Sequence, residues 1–298
     1  MSNIIKDYLN PEIITKLQNI ELKAKQVIEG FLIGLHNSPY HGFSVEFAEH
    51  RPYNPGDPIK NIDWKVFART NKYYIKEFEE ETNLRAYIIL DVSASMKFTS
   101  GTITKLEYAK TIAAALSYLL IKQKDAVGIT AFNEDIIYNI PPKSKLSHLQ
   151  YILKIINNIQ PAKKTNIFQV LNKIISNIHK RSLIIFISDL FEEPDKVIQS
   201  IKNFRYSKHD VIVMHILDPQ EVNFNYKRDT RFIDLETNEK IDTQAHHIRK
   251  EYVKTIKKII DKYKIEFENN YIDYNLFTTD QSYDKVLLYY LEKRKKLG

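Results

Sequence analysis

From Tyr87 to Leu90 the chain is continuously apolar. It then breaks into Asp91-Val92-Ser93-Ala94-Ser95, a carboxylate and two hydroxyls at alternate positions. An apolar run of that length reads as a strand buried on both faces. From Ala86 onward such runs alternate with segments of helical period. Strands are expected at Ala86–Leu90, Ala126–Phe132, Leu183–Ser188, Val211–Leu217 and Tyr271–Phe277. A short strand at Ile136–Ile140 hairpins onto its predecessor across Asn133-Glu134-Asp135 and is stopped by Pro141-Pro142. Helices are expected at Leu106–Ile121, Leu146–Ile156, Ile167–Ile178, Pro194–Phe204, Gln244–Tyr263 and Asp284–Lys293. Thr104 and Glu107 have the spacing of a capping box before the first of these. Arg231 to Ile241 suggests a hairpin turning at Thr237-Asn238, outside the sheet. The alternation predicts an α/β fold: a doubly wound, mostly parallel sheet flanked by helices.

The first third has a different texture. Pro11 to Glu29 carries one apolar stripe (Ile13, Leu17, Ile20, Ala24, Val27, Ile28) and reads as a helix ended by Gly30. His36 to Glu81 holds four of the ten prolines and the turn Asn54-Pro55-Gly56-Asp57. Short strands fit Phe43–Phe47 and Tyr73–Phe78. A short helix at Asn61–Ala68 carries the only tryptophan, Trp64, read as a packing anchor. The organisation expected is a small N-terminal helix plus β-rich subdomain at 1–83, followed by the α/β domain at 84–298.

Composition narrows the chemistry. The chain has no cysteine, which excludes disulfides, thiolate zinc sites and cysteine nucleophiles. Its formal charge of +7 permits a nucleic-acid partner. Few of the basic residues are arginine, the usual reader of base edges, and the lysines are scattered, so no nucleic-acid role is expected. Met1 to Asn10 lacks an apolar leader core, and no apolar run approaches the ~20 residues that span a bilayer. A cytoplasmic protein with no transmembrane segment is expected.

Asp91, Ser93 and Ser95 lie where a strand gives way to the loop before a helix, the ligand-binding rim of an open α/β sheet. Two further loops reach that rim: Lys164-Thr165-Asn166 and Ser188-Asp189. Together they offer two carboxylates and several hydroxyls, the hard oxygen donors that Mg²⁺ takes. His246-His247 are adjacent on a predicted helix and point to different faces, which suits a zinc site poorly.

Asp91-x-Ser93-x-Ser95, then Thr165, then Asp189, resembles the metal-ion-dependent adhesion site of von Willebrand factor A domains, in that family's order. The resemblance implies that Asp91, Ser93, Ser95, Thr165 and Asp189 hold Mg²⁺ or Mn²⁺ and that a partner's Glu or Asp completes the shell. Upstream, Gly42-x-Ser44-x-Glu46-Phe47-x-Glu49-x-Arg51-x-Tyr53, Gly56-Asp57-Pro58, Ile62-Asp63-Trp64 and Ala68-Arg69 resemble a bacterial group of von Willebrand A-like proteins found with MoxR-type AAA+ ATPases. That group often has a second acidic residue where Pro58 stands, and N-terminal membrane spans that are missing here. The partner implied is a MoxR-type ATPase or its client.

Two other readings stay open. A phosphatase of the haloacid dehalogenase type also places a nucleophilic Asp at the end of its first strand. It needs a second Asp two residues on as general acid, where this chain has Ser93. There is no Walker A motif, no Gly-x-Ser-x-Gly elbow and no His-Glu-x-x-His. The third reading is a nucleic-acid binder working through net charge. The sequence therefore points first to a non-enzymatic, metal-dependent protein-binding module.

Overall fold

The computed structural model describes residues 11, 14, 19–36, 51–53, 64–75, 84–161, 167–226, 229–233, 235 and 240–295. The central sheet has six strands: β3 (Arg85–Asp91), β4 (Ala126–Phe132), β5 (Ile136–Lys143), β6 (Leu183–Ser188), β7 (Asp210–Leu217) and β10 (Asp273–Thr278). Their order is β10-β7-β6-β3-β4-β5, and every pairing is parallel except β4 with β5. The expected α/β class, with a mostly parallel sheet between helices, is the one observed.

The apolar runs alternate between two cores. Ile88 and Leu90 of β3 join Ile185 and Ile187 of β6 in one cluster, while Ile89 joins Ile184 and Phe186 in the other. Both faces are dry, so each strand is apolar at successive positions and not merely at every second one. The first face is covered by α1 (Ile20–His36), α3 (Lys105–Lys122), α4 (Leu146–Asn158) and α9 (Tyr283–Lys295). The second is covered by α5 (Ile167–Ser176), α6 (Pro194–Tyr206) and α8 (Ala245–Glu268). Among the described residues no helix is long and apolar enough to cross a membrane.

The chain leaves β3 towards β4 and β5, then returns to form β6 on the other side of β3. The two crossovers part at the C-terminal ends of β3 and β6, the switch point where such sheets form a crevice. Asp91 and Asp189 stand at those two ends.

Several boundaries differ from expectation. The first helix does not end at Gly30. It runs to His36, because Phe31 is buried against the core and its packing outweighs the cost of a mid-helix glycine. β5 is not stopped by Pro141-Pro142 but continues to Lys143; it is an edge strand, where a missing N–H costs no ladder bond on the solvent side. Trp64, in α2 (Trp64–Thr70), is 55% exposed and meets Phe67 edge-on, so it anchors no core. The strand expected at Tyr73–Phe78 is described only as β2 (Tyr74–Ile75), paired antiparallel with β1 (Arg51–Pro52). The Phe43–Phe47 strand lies outside the described residues. β8 (Asp229–Ile233) and β9 (Lys240–Gln244) form the expected hairpin arms. A five-residue helix, α7 (Pro219–Asn223), was not anticipated. Thr104 caps α3 by accepting from the Glu107 N–H at 3.1 Å. The Glu107 carboxylate meets Lys23 and Lys110, so the capping is one-sided.

Gly128 sits in the register shift between β4 and β5. A Cβ there would stand 2.8 Å from the Pro142 nitrogen and nearer still to the Ile140 carbonyl. Both neighbours are backbone and neither can rotate away. Gly128→Ala should lower stability by about 3 kcal/mol, read from the urea midpoint. Gly101→Ala, with nothing within 4 Å of the added carbon, should stay within about 0.5 kcal/mol of wild type. Equal midpoints for the two variants would refute the steric argument.

Candidate functional site

Asp91 is the last residue of β3 and is fully buried. Its Oδ1 accepts from the Ser93 N–H at 2.9 Å, a local turn that a short polar side chain makes with the backbone two residues on. Its Oδ2 accepts from the Ser188 hydroxyl of β6 at 2.6 Å, a bond across two neighbouring strands. Ser93 begins a 3₁₀ turn, Ala94–Lys97, and this turn brings the Ser93 and Ser95 hydroxyl oxygens to 3.0 Å from each other. Burial, and then the nearby Asp189 carboxylate, push Asp91 up to about 7.

Asp189 follows β6 and is buried. Leu190 after it holds φ at 53°, the left-handed region that a branched side chain enters only at a cost. The bend is pinned from several sides. The Leu190 N–H donates to Ser188 Oγ at 2.9 Å, and the Tyr263 hydroxyl donates to the Leu190 carbonyl at 3.1 Å. His215 Nε2 donates to the Asp189 carbonyl at 2.8 Å, so its Nδ1 accepts from the Tyr274 hydroxyl at 2.8 Å. Burial holds His215 down to about 4, and the ring stays neutral in that role.

The Asp189 carboxylate has a resident cation. Lys105, the first residue of α3, is fully buried, and its Nζ lies 2.7 Å from Asp189 Oδ2 and 2.7 Å from Glu221 Oε1. It also lies 4.6 Å from the centre of the Phe191 ring. Lysine is disfavoured at a helix N-terminus, where the dipole is positive. Burial pulls the ammonium down, yet the two carboxylates outweigh it, and Lys105 is raised. Glu221 also accepts from the Asp218 N–H at 2.8 Å, closing a capping box on α7; burial pushes it up to about 7 against the pull of Lys105. Asp218 in turn takes the Ser100 N–H at 2.8 Å and the Ser100 hydroxyl, tying the loop after β3 to the end of β7.

Four of the five residues singled out from sequence, Asp91, Ser93, Ser95 and Asp189, therefore come to one rim. Thr165 lies outside the described residues, as does Asn166. The chain resumes at Ile167, whose N–H donates to Glu192 Oε1 at 2.7 Å, close after Asp189. Among the described residues no group of three or more His, Cys, Asp or Glu could hold a metal, so a cation here would depend on serine oxygens. The donors present fit a hard divalent ion. Asp91 is a carboxylate held by Ser93 and Ser188, beside two hydroxyl oxygens 3.0 Å apart.

Sequence reasoning missed Lys105, Glu221 and His215. Lys105 left one signal: a lysine directly after the N-cap Thr104, where an acid is favoured. Removing it should leave two carboxylates buried without a counter-charge. Lys105→Met should cost about 3–5 kcal/mol of unfolding free energy in a denaturant titration. Adding Glu221→Gln should recover part of that loss, a coupling that a double-mutant cycle reads directly.

Several known proteins are similar to the chain. The uncharacterised protein Rv1480 of Mycobacterium tuberculosis is 25% identical over 219 residues, 72% of this chain and 68% of that protein. The uncharacterised protein YeaD of Bacillus subtilis is 26% identical over 100 residues, 33% of this chain and 23% of that one. Among solved structures, the conserved hypothetical protein BatB from Bacteroides thetaiotaomicron aligns with a TM-score of 0.49 at 18% identity, over 72% of this chain and all of that one. The SpRpn10 VWA domain aligns with a TM-score of 0.41 at 9% identity, over 69% of this chain and 93% of that one. The family described as protein of unknown function DUF58 matches residues 49–259, most of the chain, and the chain belongs to that family.

Proposed function

We propose that the chain is a protein-binding module that uses a divalent cation, Mg²⁺ or Mn²⁺, to capture an acidic side chain of a partner. Asp91, Ser93, Ser95, Thr165 and Asp189 would hold the ion, which supplies a Lewis-acidic coordination position for the visitor's carboxylate. The observation that carries this reading is a charge imbalance. Three buried or nearly buried carboxylates, Asp91, Asp189 and Glu221, stand near one ammonium, Lys105, which pairs with the last two, and the buried Asp218 adjoins Glu221. With all groups ionised the cluster carries more negative than positive charge, and a divalent ion would offset part of the excess. Isolated buried charge is costly, so a cluster built this way is expected to recruit a counter-ion.

The chain's own residues do the positioning. Ser188 and the Ser93 N–H orient Asp91, the 3₁₀ turn presents both serine hydroxyls, and His215 fixes the backbone at Asp189. The sequence resemblance supports a MoxR-type AAA+ ATPase, or its client, as the partner, and a role in assembly or chaperoning. A non-enzymatic role is supported by Ser93, a hydroxyl where a phosphatase of the same layout would need an acid.

Calorimetry should detect Mg²⁺ or Mn²⁺ binding by wild type and none by Asp91→Ala. At one hundred times the dissociation constant the ion should add about 2.7 kcal/mol to wild-type stability alone. Equal heats for both proteins would defeat the proposal. Capture of the partner in a pull-down should be abolished by chelator and by Thr165→Ala. Capture that persists under both conditions would remove the metal from recognition.

A further inference from the structure

The opposite end of the sheet carries an unlike surface. A basin of about 1010 Å³ opens there, lined by six cationic side chains: Arg85, Lys124, Lys143, Lys145, Lys180 and Arg181. Four segments converge on it. Arg85 starts β3, and Lys124 precedes β4. Lys143 and Lys145 flank the step from β5 into α4, and Lys180-Arg181 precede β6. Among the described residues no Asp or Glu lines the basin. The nearest acid in sequence, Asp125, is fully buried and paired with Arg294.

Some surface lysines elsewhere pair with acids: Lys173 with Asp135, Lys196 with Glu193, Lys202 with Glu266, Lys262 with Asp195. In the basin only Arg181 does, through Asp210; among the described residues the other five have no ion pair. Helix α4 adds to the same field. It spans 13 residues, its N-cap is Lys145, its cap makes no side-chain hydrogen bond, and its first turn holds no acid. Its free N–H groups and positive dipole end are thus reinforced by cations. Ser144 and Ser147 line the same wall as hydroxyl donors.

We infer that this basin binds a small soluble ligand carrying several clustered phosphates, such as a tripolyphosphate group. Six converging cations exceed what a single carboxylate or monophosphate needs. Guanidinium forks, ammonium groups and helix N–H donors are together the chemistry of phosphate recognition. The concavity, of a size with small-molecule sites, gathers charge to one centre and does not string it along a groove as a nucleic-acid backbone requires. The half-exposed Tyr151 ring lines the basin and offers an apolar face beside the charges.

The test is calorimetric titration of the full chain with sodium tripolyphosphate and with ATP, in chelator and at physiological salt. Chelator keeps the carboxylate rim out of the measurement, so failure of the metal proposal leaves this result untouched. Wild type should bind, and Lys143→Gln/Lys145→Gln should bind about a hundredfold more weakly. Lys180→Gln should weaken binding about tenfold, with thermal melts of all variants matching wild type. ATP binding tighter than tripolyphosphate would assign the base to the Tyr151 wall and support the site. No binding by wild type, or equal binding by wild type and the double variant, would overturn the inference. Binding of single-stranded DNA or of phosphatidylserine vesicles without binding of tripolyphosphate would also overturn it.

Discussion

The rim of this protein is organised around a lysine that never reaches water. Lys105, at the start of α3, bridges Asp189 just after β6 and Glu221 in α7. Burying an ammonium is tolerable only when carboxylates lie within hydrogen-bond reach, and here two do. The bridge fixes where the N-terminus of α3 can sit and where the Asp189 carboxylate can point. It also leaves the cluster with more negative than positive charge. Burial pushes both Asp91 and Glu221 up to about 7, with the Asp189 carboxylate adding to the rise.

Around that bridge the backbone is held by short polar bonds in a dry setting. Ser188 spans from β6 to Asp91 on β3, so two parallel strands share one carboxylate. His215 and Tyr274 form a relay from the neighbouring strands β7 and β10 to the Asp189 carbonyl. The left-handed Leu190 is sustained by the bonds on either side of it. One partner in each of these contacts belongs to a sheet strand or to a helix packed on the sheet.

The sheet was legible from sequence because its strands are buried on both faces and so read as unbroken apolar runs between turn signals. β4 and β6 fall where the runs place them. Local rules failed where tertiary packing overrode them. Phe31 carries α1 through Gly30, and the edge position lets β5 pass through Pro141 and Pro142. The alternating oxygens Asp91, Ser93 and Ser95 could be found because they are neighbours in the chain. Lys105 and Glu221 could not be paired, since 116 residues separate them and the short helix holding Glu221 has no periodicity to detect.

The proline pair in β5 has a consequence for how anything can join this molecule. Two successive residues on the outer margin of the sheet present no amide hydrogen. An extended segment from another chain laid along that margin would meet a gap in its bonding pattern, and lateral growth into stacked strands is discouraged there. Association through that margin is thus hindered at the backbone level, while the opposite margin, β10, carries no such proline pair.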